Sequence, residues 1–249
     1  MYKGESVMKI KEKINMDLEG LIKNGPITIV AYGDSVTHGA FNEGEIDYEA
    51  VYWNILKKKL NAKRNYVPVN VICAGIGGLT AQESLPRLES QVLAHSPDLV
   101  IVCFGLNDVN GELETYLNSL REIFTKLKRS GTEVIFMTPN MLNTYVAEDT
   151  APHLVDYAGI TANVQNNGRM DNYMSSAVAL AQDLGVTVCD CYSDWKELNK
   201  TKDTTMLLAN RINHPTREMH ELFANRLLQA IFDEEISLSD TVSTMYHGK

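Results

Sequence analysis

The sequence lacks any apolar run approaching the roughly 18 residues that suggest a membrane span, so no membrane association is expected. It also lacks an excess of positive charge: 23 Lys and Arg against 32 Asp and Glu leave a net charge of −9. Nucleic-acid binding usually shows as a basic face. The densest basic run, Lys57 to Lys59 with Lys63 and Arg64, closes an expected helix and reads as solvated surface, so nucleic acid is not an expected partner. Cysteine is scarce, with four in the chain. Cys73 and Cys103 lie in apolar runs, where a free thiol behaves as a small hydrophobe. Cys189 and Cys191 have no second pair with which to build a zinc site, and no metal is expected. Met1 to Gly20 mixes Lys and Glu without the apolar stretch of a signal peptide, so the expected setting is the reduced cytoplasm. No repeat, low-complexity tract or linker breaks the chain. Residues 1–249 read as one domain with a core over roughly 25–235 and an extension at each end.

Five short runs rich in Val and Ile are present: Ile27–Tyr32, Val67–Cys73, Leu99–Phe104, Glu133–Thr138 and Val186–Cys189. Continuous apolar runs of this length suit strands buried on both faces of a parallel sheet. Between them, Tyr48–Lys63, Leu113–Arg129, Arg169–Leu184 and Thr216–Phe232 carry apolar residues three and four apart, the helical period. Thr80–Ala94 reads as helical but interrupted at Pro86. Strands alternating with helices imply right-handed βαβ units and one doubly wound sheet of the α/β class. Asn140 to Gly168 reads as a long irregular stretch, serving as a substrate wall or lid or as an ordinary insertion. The polar tail after Glu235 reads as a loose terminus or a dimer arm, which leaves a homo-oligomer open.

In an open α/β sheet, ligands bind beyond the carboxyl ends of the strands. Every notable polar motif here follows a strand or opens the last helix. Gly33-Asp34-Ser35 places a hydroxyl on a tight turn after the first strand, with a helix cap as the competing reading. Gly75 to Thr80 after the second offers backbone N–H groups that a ligand can approach closely. Its glycine spacing is not that of a dinucleotide fingerprint. Phe104 to Asp108 after the third carries Asn107, a neutral donor suited to an oxyanion or, equally, to an Asx-turn. His214, followed by Pro215, offers a general base near neutral pH.

Taken in order, these four segments resemble the SGNH (GDSL) hydrolase family, whose blocks supply Ser, Gly, Asn and His. They fall here on Ser35, Gly78, Asn107 and His214, and the resemblance spans Ile27 to about Ile231. It implies a three-layer α/β/α sandwich around a five-stranded parallel sheet, flavodoxin-like in order. It implies a serine ester hydrolase with Ser35 as nucleophile and His214 as base. The oxyanion hole would be the Ser35 N–H, the Gly78 N–H and the Asn107 amide, with Asp34 and Asp108 in support and no cofactor. Small-molecule esters are the expected partners, with short-chain or O-acetyl esters such as acetylated carbohydrates ahead of lysophospholipids or thioesters.

Two departures qualify the resemblance. Cys73 stands where many members have Asn, at a position read as structural. More consequentially, the acid that usually precedes the histidine is missing: the two candidate positions hold Arg211 and Asn210. A carboxylate there orients the imidazole and stabilises the imidazolium, and replacing Asp by Asn in a serine protease cost about 10⁴ in turnover. Three expectations follow. Asn210 or a carbonyl near it orients His214 in a Ser-His dyad, the favoured reading; Asp190 or Asp203 takes over; or the enzyme is slow. The missing acid is also the best support for a non-catalytic ligand-binding protein. A third class, a glycosidase using Asp34 and Asp108 as paired acids, leaves Ser35, Asn107 and His214 without a shared task.

Overall fold

The computed structural model describes residues 9–232. Five strands, β1 (Ile27–Gly33), β2 (Val69–Cys73), β3 (Leu99–Cys103), β4 (Glu133–Met137) and β5 (Thr187–Cys189), form one sheet in the order β2-β1-β3-β4-β5. All four pairings are parallel, with Ile27 opposite Val69, Ile29 opposite Leu99, Leu99 opposite Glu133 and Ile135 opposite Thr187. This is the flavodoxin-like order, whose switch point lies between β1 and β3. The central strands are continuous apolar runs because both faces are covered. Ile29 to Tyr32 and Leu99 to Cys103 have no exposed surface. Burying a side chain of this size is worth about 1.5–3 kcal/mol, so a charge introduced at Val100 or Ile101 would break the sheet at its centre.

Along the chain the helices are α1 (Ile10–Lys13), α2 (Leu18–Asn24), α3 (Ser35–His38), α4 (Tyr52–Lys63), α5 (Ala81–Ser84), α6 (Leu88–Gln91), α7 (Leu113–Arg129), α8 (Val155–Asn166), α9 (Arg169–Asp183), α10 (Cys191–Leu198) and α11 (Arg217–Phe232). α4 packs on β2 and against α11, while α7 and α9 pack together over β4 and β5, giving helices on both sides of the sheet. The core reaches further toward the N-terminus than expected. Ile10, Ile14 and Met16 are buried, and Lys13 Nζ binds Asp98 Oδ1 at 2.7 Å and the Pro26 carbonyl at 3.0 Å.

Three expected elements differ. The helix after Tyr48 begins at Tyr52, because Asp47 Oδ1 accepts the N–H groups of Glu49 (2.9 Å) and Ala50 (3.1 Å) in a turn of its own. Thr80–Ala94 is four short pieces: α5, opened by a Thr80/Glu83 capping box, a 3₁₀ turn holding Pro86, α6, and a second 3₁₀ turn. Asn140 to Gly168 is not irregular throughout, since it contains α8. That helix buries Ala158, Thr161, Ala162 and Gln165. Its inner face is small and polar, so it leaves no apolar stripe in the sequence. The tail after Glu235, expected as a loose end or dimer arm, lies outside the described residues.

Candidate active site

The first strand delivers Ser35. β1 ends at Gly33, Asp34 caps α3 by accepting the Val36 N–H at 3.0 Å, and Ser35 opens that helix. A first-turn N–H has no acceptor one turn back, so the Ser35 amide is free to face a ligand. Asp34 is fully buried and its Oδ2 has no hydrogen-bond partner among the described residues. Burial foremost, with the Asp108 charge adding to it, pushes its carboxyl up to about 7, against the Val36 hydrogen bond. Asp34 therefore braces the turn and does not reach the cavity.

The second strand brings Gly75 to Gly78 alongside. Ala74 N–H and Ile76 N–H donate to the carbonyls of Ala31 (2.8 Å) and Gly33 (3.1 Å), continuing the parallel pairing past the strand. A Cβ on Gly75 would lie 2.6 Å from His38 N, so only glycine lets this loop press against α3. Gly78 has φ +83°, a left-handed turn that L side chains rarely adopt. The Gly77 N–H donates to His38 Nδ1 at 3.3 Å, which ties the turn to the helix carrying Ser35.

The third strand adds Asn107 and Asp108. Asp108 Oδ1 accepts the Ala81 N–H at 2.8 Å, binding the third loop to the second. Burial raises its carboxyl to about 6, opposed by the backbone N–H groups it accepts. Asn107 Nδ2 gives one hydrogen to the Leu79 carbonyl at 3.1 Å and keeps its second.

His214 lies three residues ahead of α11, and its backbone is held at both ends. Its N–H donates to Asn210 Oδ1 at 2.9 Å, and its carbonyl accepts the Ala209 N–H at 2.7 Å. The ring meets Ser35: His214 Nε2 is 3.0 Å from Ser35 Oγ. Its other nitrogen, Nδ1, is 2.9 Å from the carbonyl of Phe41. A carbonyl only accepts, so Nδ1 carries the hydrogen and Nε2 presents its lone pair to the serine. Burial holds the His214 pKa below 6.5, while the Phe41 bond pulls it up.

This arrangement corrects the reading of Asn210. Its Oδ1 gathers the N–H groups of Ile212, Asn213 and His214, and its Nδ2 donates to Asn213 Oδ1 at 2.9 Å. The side chain is consumed in shaping the loop, which passes through Arg211 at φ +59°, and it gives nothing to the imidazole. The carbonyl on Nδ1 comes from a distant hairpin and not from the neighbourhood of Asn210. The two distant acids are engaged elsewhere. Asp190 caps α10 and accepts from Thr138 Oγ1, and Asp203 accepts from Tyr145 Oη and the Thr205 N–H.

Ser35, Gly77, Gly78, Asn107 and His214 line one cavity of about 420 Å³. Its outer wall is the segment Asn42 to Ile46 with Leu154 and Tyr157, so part of the 140–168 stretch does form a wall. Phe41, Tyr157 and His38 were not singled out by the sequence. Their signal is positional at best: His38 and Phe41 follow the serine motif closely. Asp34 and Asp108 do not line the cavity and each caps backbone N–H groups, so they do not fit as paired acids acting on a sugar. No group of three or more His, Cys, Asp or Glu among the described residues could hold a metal ion.

Comparison with known proteins agrees with this geometry. The family model of the GDSL-like Lipase/Acylhydrolase family matches residues 31–222. An acetylxylan esterase of Geobacillus stearothermophilus is 26% identical over 218 residues, covering 80% of this chain and 91% of that protein. A GDSL esterase/lipase of Arabidopsis thaliana is 22% identical over 223 residues, covering 83% of this chain and 79% of its own length. The crystal structure of Axe2, an acetylxylan esterase from Geobacillus stearothermophilus, superposes with a TM-score of 0.65 at 23% identity, over 85% of this chain and 95% of that one.

Proposed function

Because the chain belongs to the GDSL-like lipase/acylhydrolase family and is a carboxylic ester hydrolase, we propose that Ser35 and His214 form its catalytic dyad and that its substrates are acetyl esters of small carbohydrates. The single observation carrying the first part is the 3.0 Å contact from His214 Nε2 to Ser35 Oγ inside the cavity that also exposes Gly78 and Asn107. His214 takes the serine proton as Oγ attacks the ester carbonyl carbon. The tetrahedral oxyanion is held by the N–H groups of Ser35 and Gly78 and by the second hydrogen of Asn107 Nδ2. Imidazolium then protonates the departing alcohol, and water activated by the same His214 hydrolyses the acyl-enzyme. The Phe41 carbonyl keeps the ring in the productive tautomer throughout.

Two observations support the acyl and alcohol parts. The relative from Geobacillus is named for an acetylated polysaccharide. The cavity rim here carries Asn42, Glu43, Asn213 and Tyr157, side chains that hydrogen-bond hydroxyl groups and offer a ring face. The test is an ester panel on wild type and Ser35→Ala: acetylated xylose and glucose, p-nitrophenyl acetate and octanoate, a lysophospholipid and an acyl thioester. Acetylated sugars should be turned over fastest, and Ser35→Ala should be silent on all. A preference for octanoate or lysophospholipid would overturn the substrate class. Hydrolysis by Ser35→Ala would overturn the dyad.

A further inference from the structure

Among the described residues the acceptor on His214 Nδ1 is the Phe41 carbonyl, so the aim of the ring depends on where that carbonyl sits. That carbonyl belongs to a small hairpin over residues 39–47. Asp47 N–H donates to the Gly39 carbonyl at 2.9 Å, Phe41 N–H to Glu45 at 3.0 Å, and Glu45 N–H to Asn42 at 3.1 Å, with Ala40 bridged to Ile46. A two-stranded hairpin of this size is marginal by itself. What fastens its outer side is Arg217, in the first turn of α11 and three residues beyond His214. Arg217 Nη2 reaches Glu45 Oε1 at 2.6 Å, Nε reaches Asp47 Oδ2 at 3.0 Å, and the guanidinium carbon lies 4.6 Å from the Phe41 ring centroid. Beneath, the Phe41 ring rests on His220 of the same helix, with centroids 4.9 Å apart.

We propose that Arg217 is a positioning residue for ester hydrolysis: by clamping the 39–47 hairpin to the start of α11, it keeps the Phe41 carbonyl on Nδ1 of His214. This rests on the Ser35–His214 reading above. A planar guanidinium suits the task, since it can engage two carboxylates and lie over a ring at once, whereas an ammonium is a point charge. The clamp contributes little to global stability, because Arg217 is about half exposed and an exposed ion pair is screened by water and salt. α11 is anchored independently through Met219, Leu222, Phe223 and Leu227, all buried. Losing Arg217 therefore loosens the hairpin and lets the imidazole swing, without unfolding the helix.

The experiment compares kcat and KM for p-nitrophenyl acetate in wild type, Arg217→Ala and Arg217→Lys, at low and high NaCl, with Ser35→Ala as control. Arg217→Ala should lower kcat about tenfold, the equivalent of about 1.4 kcal/mol, with KM for this small ester little changed. Arg217→Lys should recover part of the loss. Wild-type kcat should fall with added salt as the ion pairs are screened, and Arg217→Ala should be insensitive. Wild-type kcat in Arg217→Ala, a loss confined to KM, or equal salt responses would overturn the clamp. If Arg217→Ala does not fold, the doubly neutral Glu45→Gln/Asp47→Asn variant removes the same clamp from the hairpin side and is read identically. Activity in Ser35→Ala would strike at the dyad itself, an outcome separate from any result on Arg217.

Discussion

The pH dependence of kcat/KM distinguishes a base oriented by a carbonyl from one oriented by an acid. For the free enzyme this quantity reports the pKa of its essential groups, and the proposed dyad works only with neutral His214. Activity should therefore rise with pH through the His214 pKa and level off above it. Two influences set that midpoint. Burial disfavours the imidazolium and lowers it, and the 2.9 Å bond to the Phe41 carbonyl partly offsets the burial. A carboxylate on Nδ1 would reverse the balance, since an opposite charge within about 4–6 Å shifts a pKa by about 1–3 units toward the charged form. The structure thus places the acid limb below 6.5, the ordinary histidine value. The assay is initial-rate hydrolysis of p-nitrophenyl acetate from pH 4 to 9 in constant ionic strength. Asp34, pushed up to about 7, titrates nearby, so the profile is repeated on Asp34→Asn. A midpoint at or above 7 in both proteins would refute the reasoning, as it would require a negative charge beside the imidazole.

Asn107→Ala removes one of the three proposed oxyanion donors and should lower kcat at least about a hundredfold, the range seen when such a donor is deleted; steady-state kinetics showing full turnover would remove Asn107 from the site. Asp34 binds its proton more tightly folded (about 7) than at its ordinary 3.8. Its contribution to stability is therefore present below about 4 and lost as pH rises through about 7. Asn caps a helix as well as Asp, so Asp34→Asn should gain stability relative to wild type at pH 8 compared with pH 4.5 in urea denaturation; a difference independent of pH would contradict this. Arg226 holds the buried Asp194 carboxylate in a two-pronged pair at 2.5 Å. Arg226→Ala leaves that charge uncompensated and should cost about 3–5 kcal/mol of unfolding free energy, measured by chemical denaturation; a loss below 1 kcal/mol would mark the pair as a surface contact in effect.

Much of this molecule is legible in its residues, for physical reasons. Strands covered on both faces must be apolar throughout, so Ile29 to Tyr32 and Leu99 to Cys103 declare themselves. Ser35, Gly78, Asn107 and His214 sit at strand ends or beside the last helix, and the doubly wound topology carries them to one sheet edge. α8 was missed because Ala158, Thr161 and Gln165 make its inner face, and such residues carry no hydrophobic period. Asn210 was misassigned because spacing from His214 said nothing of where its amide points; the loop needs that oxygen for three N–H groups. The Phe41 contact was unreadable because every residue type carries a carbonyl, and only the closure of the 39–47 hairpin brings this one within 2.9 Å of Nδ1. Arg217 shared that fate, as its role exists only through the hairpin.

That the acceptor on His214 Nδ1 is a main-chain oxygen has a consequence for engineering. A saturation library at position 41 would vary the ring lying between Arg217 and His220 while leaving the acceptor in every clone. Its scores would report shape alone and rank the site as a packing position. Only chemistry on the peptide linkage, such as an ester in place of the amide joining Phe41 to Asn42, would weaken the acceptor itself.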